Sequence, residues 1–387
     1  MNKKIIVLLM VFVLIFSVSG CKKAFEYEEA MDQGMETIQN ATKYHTLTTL
    51  VFDDDFGTKI VGLTELADDT ENTESDIEEM KKAGDTLSNL NLVVEQKVDL
   101  DEFIVDMTMK IDYASEKFLN INMLMNDSFM FFNEPDLLKQ GAMVKFSFIN
   151  DMMSEMTGGD NTDLIDTIKT QVVEQQQMTQ KFLPIIDKII EENVDDPEVL
   201  ETTIDFKGEA LETNEVKYSM TYAKALELVK IFLEDEEFMS LYEETVKLQI
   251  DSMNAMSGGM QTQSEEEVMI QLNDSIDEIE KSIDETLADP EIVKVLENYN
   301  LDVSYYFDDG IKAVAYDFDF FSVKSDYYSI NEAIEFDIPT EESSYVIEDQ
   351  MGMFGAMGIV NQEAVENLQN HKLVTDFNAL QTSTPEY

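Results

Sequence analysis

The stretch FIVDMTMKIDY, residues Phe103–Tyr113, carries the clearest structural signal in the chain. Apolar residues recur at every second position and polar residues fill most of the positions between them, which is the period of a half-buried β-strand. The run 119–125 repeats this pattern, and it returns near the other end of the chain at 301–307 and 314–320. The alternation therefore predicts antiparallel strands toward both ends of the chain, with one face of the sheet in water.

The middle of the chain has helical periodicity instead. Apolar residues spaced to form one face of a helix run through the segments 162–193, 223–233, 236–256 and 265–287. Strands and helices that occupy separate blocks of sequence are typical of an α+β fold. We therefore predict one or more curved antiparallel sheets packed on helices.

The charge of the chain is strongly acidic. The 387 residues include 81 Asp and Glu against 26 basic residues, all of them lysines, for a net charge of −55. Nucleic acid is excluded as a partner by this balance, because phosphate backbones are bound by basic patches. Hydrophobic residues make up 44% of the chain, which indicates a globular body rather than a disordered acidic tail.

The front of the chain has the layout of an export signal. Lys3 and Lys4 precede the unbroken apolar run Ile5–Phe16, which is too short to span the ~30 Å hydrocarbon core of a bilayer. The small residues Val18-Ser19-Gly20 then lead to Cys21, the only cysteine of the chain. An ordinary secretory signal beside a chance cysteine is the alternative interpretation.

Val18-Ser19-Gly20-Cys21 resembles the lipobox of bacterial lipoprotein precursors. The resemblance implies cleavage between Gly20 and Cys21 and attachment of a diacylglyceryl group to the Cys21 sulfur. Two acyl chains anchor a protein stably to a membrane, which implies a lipid-anchored, extracytoplasmic location. The arginine-free, Lys/Asn/Ile-rich composition is typical of an AT-rich genome and favours a Gram-positive cell surface.

These features predict the organisation of the chain. Residues 1–20 form the signal peptide, and 21–43 form the lipidated N-terminus with a membrane-proximal helix. The α+β body spans 44–340, as one domain or as two halves of about 44–195 and 196–340. The last part, 341–387, is an acidic and Gly/Met-rich tail.

Catalytic and metal-binding motifs are missing from the sequence. No nucleophile elbow, phosphate-binding loop, dinucleotide fingerprint or zinc motif is present, so we expect no cofactor, no metal and no enzymatic activity. The acidic run Asp53-Asp54-Asp55-Phe56-Gly57 lacks the ligand spacing of a calcium loop and is interpreted as a solvated turn. A hydrolase that uses carboxylates stays open as an alternative, because a catalytic pair among so many acidic residues leaves no signal in the sequence.

Methionine is the unusual residue, with 24 in the chain and no tryptophan. Met107, Met109, Met123 and Met125 share the apolar side of two successive predicted strands. Flexible, polarizable methionine side chains suit surfaces that accept varied apolar shapes. We interpret these four residues as a candidate binding site for a lipid or another apolar ligand, with an ordinary filled core as the alternative.

The layout of the body over Asn91–Ile338 resembles the LolA and LppX-like lipoprotein carriers, and also the uncharacterised surface lipoproteins of Gram-positive bacteria. The resemblance implies a non-enzymatic protein that binds an apolar ligand on a Met- and Phe-lined sheet face. An envelope interaction or scaffold lipoprotein with a filled core is the second hypothesis. No motif outside the lipobox carries a binding residue over from these families.

Overall fold

The computed structural model describes residues 27–67, 74–157, 164–256, 264–349, 352 and 355–381. The signal-like segment and the candidate lipidation site, Gly20 and Cys21, lie outside these residues. Within the described part of the chain, no helix has both the length and the apolar composition needed to cross a membrane.

The described residues form the strands β1 (Lys43–Phe52), β2 (Leu90–Asp99), β3 (Ile104–Tyr113), β4 (Glu116–Met125), β5 (Phe129–Asn133), β6 (Ala142–Lys145), β7 (Glu198–Phe206), β8 (Glu209–Thr221), β9 (Asn300–Asp308), β10 (Gly310–Asp317), β11 (Phe321–Ile330) and β12 (Tyr345–Ile347). The helices are α1 (Tyr27–Gln39), α2 (Phe56–Ala67), α3 (Glu74–Leu87), α4 (Phe146–Thr157), α5 (Leu164–Asn193), α6 (Tyr222–Glu234), α7 (Glu236–Met256), α8 (Glu265–Ala288), α9 (Pro290–Leu296), α10 (Gln362–Gln369) and α11 (Lys372–Gln381).

Internal contacts divide the chain into two units, each built from two separated stretches. The helix-rich unit comprises Met1–Asn40 and Met153–Lys312, and the sheet-rich unit comprises Ala41–Met152 and Ala313–Tyr387. Both units draw on residues from either side of position 195, the boundary between the halves in the two-domain alternative.

The sheet-rich unit is built on a meander. Its strands lie in the order β12-β6-β5-β4-β3-β2-β1-β11-β10, and all neighbours are antiparallel except β12 and β6, which are parallel. Between β3 and β4, Ala114 and Ser115 have φ of 51° and 66°, the pair of positive values that a type I′ hairpin turn requires. This antiparallel sheet with helices in separate blocks confirms the predicted α+β fold class.

The helix-rich unit contains strands β9-β8-β7 in that order, together with α1 and α5–α9. Its core is formed by inward residues of the strands and by α6, where Val216, Leu228, Phe232 and Tyr305 are almost fully buried. Phe238 of α7 contacts Phe182 edge-on and Phe232 at a tilt, with ring centroids 5.3 Å and 5.0 Å away. Aromatic pairs at these separations add to the energy of simple burial.

Several element boundaries differ from those expected from sequence. The run at 325–338 reads as a strand pair, but Ser325–Ile330 belongs to the single strand β11 and 331–340 has no strand. β11 ends because Asn331 adopts a left-handed conformation (φ 55°), and its side chain accepts a hydrogen bond from the backbone N–H of Thr42. Pro184 lies inside the continuous helix α5 and does not split it.

The acidic turn after β1 is bound by one lysine of the following helix. Lys59 of α2 reaches back to it and places its Nζ 2.7 Å from Asp53 Oδ2 and 3.0 Å from Asp55 Oδ1. The same ammonium group donates to the backbone carbonyl of Asp319. The lysine offsets part of the repulsion among the three consecutive aspartates.

Candidate apolar ligand-binding face

The four methionines singled out from the sequence lie on one side of the sheet-rich unit. In the antiparallel ladder of β3 and β4, Met107 is directly opposite Met123 and Met109 is opposite Ile121. Met125 is opposite Val105. Directly opposed residues of an antiparallel pair point to the same face, so the four side chains share one surface, which we call the methionine face.

The methionine face continues across the neighbouring strands of the same unit. On β2, Gln96 pairs with Met107 and Val94 with Met109, and the registers of β1, β5 and β11 extend the surface further. Its residues are Tyr44, Thr46, Thr48, Leu50, Phe52, Leu90, Leu92, Val94, Gln96, Val98, Val105, Met107, Met109, Ile111, Tyr113, Leu119, Ile121, Met123, Met125, Met130, Phe132, Phe321, Val323, Ser325 and Tyr327. None of these side chains is charged.

The opposite side of the same strands, which we call the polar face, carries the charges. Lys43 donates to Asp99 at 2.8 Å, and His45 Nε2 lies 2.8 Å from Glu95 Oε1. On β3, burial raises the pKa of Asp106, and nearby Glu95 and Asp337 raise it further against the opposing effect of Lys97. Since side chains alternate along a strand, the sheet separates a charged surface from an uncharged one.

The methionines are not packed as tightly as core residues. Met107, Met109, Met123 and Met125 are all half-buried, whereas Ile104 and Leu124, on the polar face of the same two strands, are 7% and 3% exposed. At β5, Met130 and Phe132 are 41% and 40% exposed. The apolar surface in the middle of this sheet is therefore only partly covered by the described residues.

Helices lie on the same side as the methionine face at the end of β3. The Tyr113 hydroxyl donates a 2.6 Å hydrogen bond to Asp376 Oδ2 of α11, and Phe52 contacts Phe56 at the start of α2 with ring centroids 5.0 Å apart. α2 and α3 cross closely at two glycines. A Cβ placed on Gly84 would lie only 2.2 Å from Gly57 Cα. These contacts place helices over one end of the methionine face.

Tyrosines on β1, β10 and β11 were not identified as site residues from the sequence. Burial raises the pKa of Tyr44 and raises that of Tyr327 to about 12, and the two phenols interact electrostatically. Burial raises the pKa of Tyr316 of β10 as well, with Tyr327 as the second cause. Their proximity depends on the pairing of β1 with β11, across more than half of the chain, which no local pattern predicts.

Comparisons with known proteins identify only distant structural neighbours. No family model matches the chain, and no curated protein matches it. The lipoprotein LppX of Mycobacterium tuberculosis is similar with a TM-score of 0.29 and 6% identity, over 80% of this chain and 97% of LppX. LprF from Mycobacterium bovis has a TM-score of 0.30 and 7% identity, over 81% of this chain and 97% of LprF. Likeness at this level assigns neither a family nor a ligand.

The two histidines occupy unrelated places. His45 pairs with Glu95 on the polar face, and Tyr328 packs edge-on against its ring. His371 precedes α11, where its Nδ1 accepts the backbone N–H of Leu373 and its ring contacts Phe118. His371 also packs edge-on against Tyr113 at the end of the methionine face, with ring centroids 6.4 Å apart, whereas neither histidine contacts the four methionines in any ring contact or hydrogen bond of the described residues.

Buried carboxylates of the sheet-rich unit have structural partners. Glu134, 2% exposed, accepts hydrogen bonds from the backbone N–H groups of Asn120, Asp136 and Leu137. Asp99, 5% exposed, accepts from Lys43 and from the backbone N–H of Glu102. Both carboxylates stabilise turns or strand ends beside the sheet, and neither lies on the methionine face.

Proposed function

We propose that this chain is a membrane-anchored, extracytoplasmic lipoprotein without enzymatic activity that binds a lipid or another apolar ligand on the methionine face. The observation that carries the proposal is the combination of charge and burial on that face. In a chain with a net charge of −55, a broad sheet surface has no charged side chain, and its central methionines remain half-buried.

Partial cover distinguishes this surface from an ordinary core. Core side chains are close-packed, and leaving a large apolar surface partly accessible costs free energy in proportion to its area. Methionine adapts to irregular apolar shapes, and a bound acyl chain would remove the remaining surface from water. The half-buried state of Met107, Met109, Met123 and Met125 supports a surface that is completed by a ligand.

The anchor completes the proposal. The lipobox-like Val18-Ser19-Gly20-Cys21 supports lipidation at Cys21, which would hold the acidic body beside a membrane that is the natural source of an apolar ligand. The membrane is thus both the anchoring partner and the reservoir of the ligand.

Paired variants on the two faces test the binding site. The experiment uses the Cys21→Ser chain, which keeps the whole body but removes the anchor, and diphenylhexatriene as an apolar fluorescent probe. Met107→Gln with Met123→Gln places amides on the methionine face, and an unpaired amide costs about 1–3 kcal/mol, so probe affinity should fall by roughly tenfold or more.

The matched control changes the adjacent residues of the same strands on the polar face, Thr108→Gln with Asn122→Gln. This pair should leave the affinity for the probe within about twofold. A twofold change in affinity corresponds to a smaller binding free energy than the loss of one contact would cause. Absence of probe binding by the parent chain, or equal losses in both pairs, would favour a scaffold lipoprotein with a filled core.

A further inference from the structure

Two tyrosine hydroxyls lie on the methionine face beside its apolar centre. Tyr327 of β11 is the register partner of Thr46 on β1, and Tyr44 lies two residues before Thr46 on the same face. Thr46 in turn pairs with Gln96 of β2, which is the partner of Met107. Polar but uncharged groups on three adjacent strands therefore lead directly to the methionines.

The two hydroxyls are available for a ligand. Among the described residues, neither Tyr44 nor Tyr327 has a hydrogen-bond partner for its phenol oxygen, unlike Tyr113, which is paired with Asp376. Burial raises the pKa of both phenols, so each keeps its proton and remains a donor at neutral pH. Both tyrosine side chains are only half-buried, so each hydroxyl can exchange a water molecule for an acceptor on a ligand.

The surroundings decide which acceptor fits. No lysine is present among the methionine-face residues of β1, β2, β3, β4, β5 and β11, so an ionised carboxylate or phosphate bound there would lack a compensating charge. Burial of an unpaired ion costs far more than burial of a neutral carbonyl that accepts a hydrogen bond. Ester carbonyls and hydroxyls meet both requirements.

We infer that Tyr44 and Tyr327 bind the neutral, oxygen-bearing head of an ester lipid of the acylglycerol class, while its acyl chains extend over β2, β3 and β4. Gln96 lies between the head and the chains and can donate to a second carbonyl. This inference rests on the proposed function, since it assigns the ligand class of the same face. It selects neutral ester lipids against anionic ones that carry the same chains.

The test compares two lipids with identical acyl chains. Dioctanoylglycerol and dioctanoylphosphatidate compete with diphenylhexatriene for the Cys21→Ser chain. The neutral lipid should displace the probe at a concentration at least tenfold lower than the anionic lipid requires. This comparison needs no substitution in the binding face, so it is independent of any folding defect in a variant.

Removal of the hydroxyls provides the second measurement. Tyr44→Phe with Tyr327→Phe should raise the concentration of dioctanoylglycerol needed for displacement by roughly tenfold, the effect of losing two hydrogen bonds of ordinary strength. Because diphenylhexatriene has no polar atom, its affinity should fall by a smaller factor than the affinity for dioctanoylglycerol does. Tyr328→Phe, one residue along β11 with its ring against His45 of the polar face, is the matched control and should change neither value.

The outcomes separate the two claims. Probe binding with equal displacement by both lipids, or with no loss in the double variant, would overturn the assignment of neutral ester lipids while leaving an apolar site in place. No probe binding by the parent chain would overturn the proposed function and this inference together.

Discussion

Tyr113, at the end of β3, donates its hydroxyl proton to Asp376 of α11 across a distance of 2.6 Å. The two residues are separated by 263 positions in the chain. The tyrosine ring is only 1% exposed, and the ammonium group of Lys372 lies 5.1 Å from its centroid. This contact ties the last described helix to the end of the methionine face.

Loss of that hydrogen bond should loosen α11. Tyr113→Phe keeps the buried ring and removes one bond to a carboxylate, so we expect a destabilisation of about 1–2 kcal/mol. Amide hydrogen exchange should accelerate over Lys372–Gln381 before it changes elsewhere. Tyr328→Phe is the control, and exchange rates in α11 that are the same in both variants would show that the bond does not hold the helix.

The ion pair of Asp99 and Lys43 predicts a pH dependence. Burial acts to raise the pKa of Asp99, but the hydrogen bonds from Lys43 and the Glu102 backbone outweigh it and lower the pKa below its ordinary value. A carboxylate with a depressed folded-state pKa stabilises the protein above its unfolded value of about 3.9, and this contribution is lost as the pH falls through the folded value.

Asp99→Asn should therefore lower the melting temperature at pH 7, and the difference from the parent protein should shrink as the pH falls below about 4. Asp101→Asn is the control, because Asp101 is more exposed and lies 3.4 Å from Lys43 instead of 2.8 Å. Melting curves across pH 2–8, a range chosen to bracket ordinary carboxyl pKa values, provide the measurement. A pH-independent difference would contradict the assignment.

Neighbouring residues of β4 should respond differently to truncation. Leu124 is 3% exposed, so Leu124→Ala should cost about 2–5 kcal/mol. Met123 is half-buried on the methionine face, and without a ligand Met123→Ala should cost about 1 kcal/mol or less. Urea denaturation of both variants measures the two values. Equal costs would mean that the methionine face is packed as a core.

The crossing of α2 and α3 depends on glycine. A Cβ on Gly84 would lie 2.2 Å from Gly57 Cα, a backbone atom that cannot move without shifting a helix. Gly84→Ala should therefore destabilise the protein by about 1–3 kcal/mol, despite the higher helix propensity of alanine. Gly358→Ala is the control, since no atom lies near its added Cβ. An unchanged or raised melting temperature for Gly84→Ala would contradict the close crossing.

The anchor prediction concerns Cys21. Two acyl chains give stable membrane attachment, so Cys21→Ser should move the protein from the membrane fraction to the soluble fraction. Ser19→Ala, which keeps the cysteine and a small residue before it, is the control. Retention of the Cys21→Ser protein in membranes after a high-salt wash would show that another part of the chain attaches it.

Local patterns in the sequence were sufficient for the elements that alternate strongly. The period-two runs correspond to β3, β4, β9 and β10, and the shared side of Met107 and Met123 follows from alternation once their strands pair. The helices α7 and α8 also match their predicted segments. In each case the spacing of apolar residues within about twenty positions is enough to predict the strand or helix, because one face of that element is buried.

Where polar and apolar residues mix less regularly, neighbours in space decided the structure. The mixed apolar and polar residues of Tyr44–Leu63 favour short extended runs, but the segment from Phe56 forms the helix α2. Phe146 begins the helix α4 and does not continue β6. The segment 331–340 forms no strand and lies against the polar face, with the Lys97 ammonium 3.5 Å from the backbone carbonyl of Glu335. Tertiary packing overrides weak local propensity at such positions.

The sequence by itself determined which residues are apolar and how they alternate along individual strands of an acidic chain. Only the tertiary structure decided that Tyr44 and Tyr327 meet on the methionine face, since β1 and β11 are adjacent in the sheet but far apart in the chain. Strand alternation is a local consequence of backbone geometry, whereas strand order depends on contacts between distant segments, and no short stretch of sequence encodes those contacts.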